Sequence, residues 1–311
     1  MFLPIMNALN ILTGLYARLH NYSGVPYWLL TPFRKCVRSI ANKMLPEYLA
    51  KSHHTKSKRE NGVIISFTSF PSRINDVWQV VSCMLRQTLQ PRKIILWLSS
   101  DQFPTRESIP ESLKRLEGDV FMIRMVDGDL RSHKKYYYVA KEHPDDYVFL
   151  IDDDIYYPST IVEKTWRAHL AHPDSVICNY GYHMRYSEDG ILVQYRQWQQ
   201  CFDDSDADDL FFGSGGGTLI KPSVLLPLLT SIDLALKLTP LADDIWLNAI
   251  VRLKKVPIQL LQNGLILPIA IKDNVKLASD NLVQSKNDEQ LKNVIDFFVE
   301  LCRINPFARA D

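Results

Sequence analysis

The chain is predicted to be an α/β protein with a mostly parallel sheet flanked by helices, preceded by an N-terminal helical extension. Three observations predict this: short β-branched apolar runs, helical periodicities between them, and a change of pattern near residue 61. GVIISFTSF (62–70) reads as a buried strand closed by Pro71. In DVWQVVSCMLRQT (76–88), Val77, Val80, Val81, Met84 and Leu85 share one helical face, and Pro91 follows. KIILWLS (93–99), VFMIRMV (120–126) and DYVFLID (146–152) are further strands, with a helix over YYYVAKEH (136–143) before the last. Strands alternating with helices give a parallel sheet covered on both faces, and such sheets bind ligands beyond their carboxyl ends. The segments to read closely are therefore Thr68-Ser69-Phe70-Pro71-Ser72-Arg73, Ser99-Ser100-Asp101, Asp127-Gly128-Asp129 and Asp152-Asp153-Asp154.

The composition fits a large packed core. The 311 residues are 46% hydrophobic and 23% charged, which excludes disordered, collagen-like and coiled-coil chains. Five scattered cysteines without a CxxC pair exclude a disulfide framework and a zinc ribbon, and suit a reducing, cytoplasmic compartment. A net charge of +1 argues against a general nucleic-acid binder, but the charge is uneven. Residues 1–60 carry nine Lys/Arg and two Glu, and the remainder is mildly acidic. The first 17 residues are interrupted by Pro4, Asn7, Asn10 and Gly14, short of the roughly 20 apolar residues of a spanning helix. No basic start or cleavage site marks a signal peptide. VPYWLLTPF (25–33), followed by Arg34, Lys35, Arg38 and Lys43, fits either a segment lying on an anionic membrane face or helices packed on the body. Residues 51–61 read as a hinge. The expected division is an extension and linker over 1–60 and a catalytic domain over 61–311. The domain comprises a nucleotide-binding half (61–158), an acceptor-binding half (159–280) and a C-terminal helix (281–311).

Asp152-Asp153-Asp154 follows the apolar run VFLI directly, and three adjacent carboxylates repel unless a cation or strong donors neutralise them. In extended backbone Asp152 and Asp154 point together and Asp153 points away. Two convergent hard oxygens suit Mg²⁺ or Mn²⁺ with positions left for phosphate oxygens; a solvated acidic turn is the plainer alternative. Gly213-Ser214-Gly215-Gly216-Gly217 lacks the lysine of a P-loop, and its density of glycine points to a sugar-binding floor at Gly215 and Gly216. The five aspartates of CFDDSDADDL (201–210) read as a solvated, mobile loop. Asp243-Asp244 opens the helix IWLNAIVRL, where carboxylates also serve as caps. The histidines show no zinc spacing and read as surface or helix-end residues. Trp166, Tyr182, Tyr195 and Trp198 either stack on sugars or pack the core.

VFLIDDDIYYP resembles the DxD region of GT-A-fold glycosyltransferases. GVIISFTSFPSRI, QVVSCMLRQTLQPRKIILWLS and DLRSHKKYYYVAKEHPDDYVFLIDDD are similar, in order, to segments of family 2-like bacterial enzymes that build surface polysaccharides such as capsule, O-antigen or lipooligosaccharide. FFGSGGGTLIKPSVL and PLADDIWL resemble that family's glycine-rich loop and acidic acceptor motif, so the likeness covers about residues 62–255. The chain departs from the commoner members in ending its second strand Ser-Ser-Asp and in having no histidine after the acidic motif.

The resemblance implies a GT-A (Rossmann-like) fold and an inverting, metal-dependent transfer from a nucleotide sugar, UDP-linked by preference, to a glycan or glycolipid acceptor at the inner membrane face. It implies metal ligation by Asp152 and Asp154, or ribose contact by Asp152 with Asp153 beside it. Thr68, Pro71 and Arg73 would cradle base and ribose, and Lys134 and Lys135 would add charge near the nucleotide. Asp244 would be the general base, with Asp243 orienting the acceptor. Two other readings stand beside it. A nucleotidyltransferase of related fold would carry a glycine-rich loop after the first strand, and SFTSFPSRI has no glycine. A membrane-associated interaction protein without turnover would have no use for two acidic pairs.

Overall fold

The computed structural model describes residues 6–20, 27–51, 62–261, 267–270 and 286–309. Most of the hinge expected at 51–61, and residues 281–285 before the last helix, lie outside the described residues. Two helices come first, α1 (Met6–His20) and α2 (Tyr27–Lys51). Then follow β1 (Val63–Thr68), α3 (Val77–Met84), β2 (Lys93–Ser99), the short α4 (Glu111–Lys114), β3 (Phe121–Val126), α5 (Lys134–Glu142) and β4 (Tyr147–Ile151). The chain continues through β5 (Ile155–Tyr156), α6 (Ile161–Ala171), β6 (Val176–Cys178), β7 (Gly181–His183), β8 (Gln199–Gln200), β9 (Leu210–Phe212) and β10 (Gly216–Ile220). It closes with α7 (Pro222–Leu225), α8 (Ile232–Leu238), α9 (Asp243–Leu253), β11 (Ile258–Leu260), β12 (Leu267–Pro268) and α10 (Lys286–Cys302).

The main sheet runs β11-β6-β10-β4-β1-β2-β3. Each neighbouring pair is parallel except those of β10, which is antiparallel to both β4 and β6. Both faces are buried, as the unbroken apolar runs require. Val63, Ile65 and Phe67 of β1 join a core with α3, while Ile64 between them joins the opposite core with Tyr136 of α5 and Trp246 of α9. The mostly parallel, Rossmann-like α/β architecture expected from the sequence is present. Because β10 is reversed, it starts where β4 ends: Gly216 pairs with Ile151 and Ile220 with Val148. The glycine-rich loop is thereby set beside the aspartate triplet.

Of the two arrangements open to the N-terminal segment, packing on the body is observed for one face of its helices. Leu9 of α1 and Ala41, Leu45 and Leu49 of α2 enter the α3-side core. Polar ties reinforce the seam. Asn42 donates to the Pro268 carbonyl at 3.1 Å and accepts from the Ala270 N–H at 2.6 Å, and Arg86 donates to the Leu49 carbonyl at 2.7 Å. Among the described residues no helix is long and apolar enough to cross a membrane. The acidic loop before β9 departs from the free loop expected. Ser205 pairs with Leu260 through two backbone hydrogen bonds and Asp209 meets His183 Nδ1 at 2.8 Å, so backbone pairing and a side-chain hydrogen bond hold it to the body.

Candidate functional site

β4 stops at Ile151, so the triplet forms a turn rather than continuing the strand. Strand alternation therefore does not apply, and the expected shared direction of Asp152 and Asp154, with Asp153 apart, is not what forms. Instead Asp153 and Asp154 share one guanidinium: Arg73 Nη1 lies 2.7 Å from Asp153 and 3.0 Å from Asp154. Ser69 Oγ donates to the second oxygen of Asp153 at 2.6 Å. Asp152 turns to a different cation, Lys135, at 2.8 Å. Its backbone N–H donates to the Tyr157 hydroxyl, which donates in turn to the Gly215 carbonyl. Burial and the adjacent Asp153 push Asp154 up to about 7. Arg73, despite its burial, is held above its ordinary value by Asp153 and Asp154.

Lys135 joins the two acidic motifs. Its buried ammonium reaches Asp152, Asp243 at 3.0 Å and Ser214 Oγ at 3.0 Å. Against burial, these carboxylates raise its pKa, so it stays charged. Ser214 Oγ donates to Asp243 at 2.7 Å and Ser214 N–H donates to Asp244 at 2.8 Å. The two aspartates occupy the first turn of α9, after the N-cap Ala242, and both carboxylates are engaged by Ser214. Their environments differ. Asp243 is buried, yet Lys135 and His133 hold it below the usual carboxylate range. Asp244 is partly exposed, and burial together with Asp243 pushes it up to about 7. Tyr180, Tyr182 and Tyr195 lie close enough to feel its charge.

The glycines serve this packing. A Cβ on Gly215 would stand 1.8 Å from an Asp152 carboxylate oxygen, and one on Gly216 would stand 2.2 Å from Tyr180 Cβ. Both glycines are buried, so the close approach they permit is to Asp152 and Tyr180, in place of the open sugar-binding floor expected. The expected pair of lysines also divides. Lys134 is buried against Asp129 after β3 and takes no part in the carboxylate cluster. Thr68 spends its hydroxyl on the Trp97 carbonyl at 2.8 Å, within the sheet, and Pro71 is exposed. In the same loop Ser72 Oγ and Arg73 Nε are buried without a hydrogen-bond partner, which leaves unmet polar capacity where a ligand was expected.

The other aromatic and imidazole groups sort by position. Trp166 packs on Tyr147 and His169, outside this cluster. Tyr182, Tyr195 and Trp198 form a run of ring contacts with Tyr180 and Phe211 on the Asp244 side. His133 is not at the surface: it is buried between the Tyr136 hydroxyl and the Thr239 carbonyl, each at 2.7 Å, and burial lowers its pKa. Ser69, Ser214, Tyr157 and His133 were missed from sequence because short polar residues and a lone histidine carry no spacing signal. Only the reversal of β10 brings Ser214 to Lys135.

Asp152 and Asp154 keep part of their surface open, with side chains 42% and 28% exposed, and each gives one oxygen to a protein cation. Each is a hard oxygen donor of the kind Mg²⁺ and Mn²⁺ take, with the rest of the shell left to substrate oxygens. Among the described residues no group of three His, Cys, Asp or Glu side chains is arranged to hold a metal unaided.

No protein-family model and no curated protein matches this chain. Among solved structures it is similar to a 4-diphosphocytidyl-2C-methyl-D-erythritol synthase, with a TM-score of 0.42 and 14% identity over 73% of this chain and 100% of that one. The chemistry assigned to this chain therefore rests on its own side chains, and what is established is an α/β fold with two acidic motifs joined at the carboxyl edge of its sheet.

Proposed function

We propose that the chain is a metal-dependent, inverting glycosyltransferase that moves a sugar from a nucleotide sugar, UDP-linked by preference, to a glycan or glycolipid acceptor. One observation carries this reading: Lys135 and Ser214 draw the Asp152–Asp154 turn and the Asp243-Asp244 pair into one cluster, which sets the carboxylates this reading assigns to metal and to base beside each other. Asp152 and Asp154 would hold Mg²⁺ or Mn²⁺, which when bound neutralises the leaving diphosphate. Arg73 and Lys135 fix the carboxylates in place. The Arg73 loop, with its unsatisfied Ser72 and Arg73 atoms, receives the nucleoside. Asp244 accepts the proton of the attacking acceptor hydroxyl, helped by a pKa near the working pH. Asp243, engaged by Lys135 and Ser214, positions Asp244 instead of reacting. Attack from the Asp244 side, opposite the diphosphate, inverts the anomeric carbon.

The test is calorimetric titration of UDP and UDP-sugars into the full chain with Mn²⁺ and with EDTA, using wild type and Asp154→Ala. Metal-dependent binding in the wild type, weakened at least about tenfold in the variant, is the expected result. Binding of a nucleoside triphosphate without any nucleotide sugar would turn the reading to nucleotidyl transfer. Silence with UDP-, GDP-, CMP- and dTDP-sugars would overturn it.

A further inference from the structure

The side of α1 and α2 turned away from the body is apolar. Leu29, Phe33, Ile40 and Met44 recur at i, i+4, i+11 and i+15 along α2, one stripe of a helix, and all four are exposed, Phe33 by 62%. Ile11 and Leu15 make the equivalent pair on α1. These six are half of the twelve exposed large apolar side chains among the described residues, concentrated on two adjoining helices. Scattered apolar residues on a surface need no explanation, but a continuous stripe needs a partner. The buried stripe of α2, through Val37, Ala41, Leu45 and Leu49, is already satisfied by the core, so the exposed one is a second apolar face.

The charge on these helices selects the partner. Arg18, Lys35, Arg38 and Lys43 are exposed on them, and Glu47, which is paired with Lys51, is their single acidic residue. Lys43 adjoins the stripe directly beside Met44. A second copy of the chain laid on this face would bring lysine against lysine, which disfavours pairing. Arg18 stands three residues after Leu15 on α1 and Lys43 three residues after Ile40 on α2, so each apolar stripe is flanked by a cation, an arrangement that matches a surface hydrocarbon beneath and anionic above. Neither helix is long and apolar enough to cross a bilayer, so such a helix lies in the interface plane.

We propose that α1 and α2 dock the protein on an anionic lipid bilayer, with Phe33 and Ile40 inserted among the acyl chains and Arg18 and Lys43 on the headgroups. The inference goes beyond the transfer reaction and does not depend on it.

Flotation of the full chain with vesicles of phosphatidylcholine alone, and of phosphatidylcholine mixed with phosphatidylglycerol, tests it. Wild type is expected to float with the mixed vesicles, less so as salt is raised, and to stay behind with the neutral ones. Phe33→Ser/Ile40→Ser is expected to lose at least about tenfold in vesicle affinity, since two large apolar side chains no longer insert. Arg18→Glu/Lys43→Glu is expected to lose at least about fivefold for each charge removed. Neither variant should change the melting temperature, because all four side chains are exposed. Wild type that ignores the mixed vesicles, or variants that float as wild type does, would overturn the proposal. So would a dimer in sedimentation velocity that only Phe33→Ser/Ile40→Ser dissociates, which would assign the face to a second copy. UDP binding, measured on the same preparations, reports separately on the nucleotide site.

Discussion

Neighbouring aspartates at the start of α9 have opposite protonation behaviour, and this bears on both stability and turnover. Asp244 titrates near 7 in the folded protein and near the ordinary carboxylate value, about 4, when unfolded. The folded state therefore binds the extra proton between these limits. The stability this gives is complete below about pH 4 and is lost as pH rises through 7. Asp154, raised in the same way, adds to the slope. Asp244→Asn should remove part of the slope and, after solvent screening is allowed for, stabilise the protein at pH 8 by about 2 kcal/mol, measured by urea unfolding. The same substitution should abolish transfer. In the wild type, kcat/KM should rise with pH through an apparent pKa near 7 that belongs to the Asp243-Asp244 pair. An acid limb near 4 would exclude Asp244 as the base.

At the scale of elements, β10 sets the tolerance of the site to change. Gly215, the residue before it, lies against Asp152, whose carboxylate is pinned by Lys135 and cannot swing aside cheaply. Gly215→Ala should cost about 1–3 kcal/mol in thermal unfolding and weaken nucleotide binding, because either the ion pair breaks or the strand shifts. Wild-type stability and binding in this variant would mean that the loop yields freely. The parallel strands β1 to β4 were legible in the sequence because burial on both faces writes itself as unbroken apolar runs, whereas the three-residue β6 and β11 were too short to show. The direction of β10 was not legible either. Its five residues GGTLI carry no sign of orientation, and with orientation unknown the glycines pointed to a ligand rather than to Asp152. The triplet was legible as a cluster needing cations. Arg73 and Lys135 were legible as basic residues near the site, assigned to the nucleotide, but that they pair with the triplet depended on β4 ending one residue before Asp152.

For the molecule as a whole, Lys135 is a charged contact between the amino-terminal half, holding Asp152, and the carboxyl-terminal half, holding Ser214 and Asp243. Lys135→Met should leave Asp243 buried without its counter-charge and destabilise the protein by about 3–5 kcal/mol in urea unfolding, with transfer lost. An unchanged midpoint would show that the carboxylates find other partners. Composition announced a core of adequate size and an unusual basic front. It gave no sign that the front end would have two apolar faces, one spent on the α3-side core and one left outside. The lysine also restricts how such a chain can diversify. A chimera that draws its first half from one parent and its second from another inherits an interior ammonium from one and the matching carboxylate and hydroxyl from the other. Crossovers between α5 and α9 would succeed only among parents that already agree at these positions, so the two halves would be inherited together rather than shuffled.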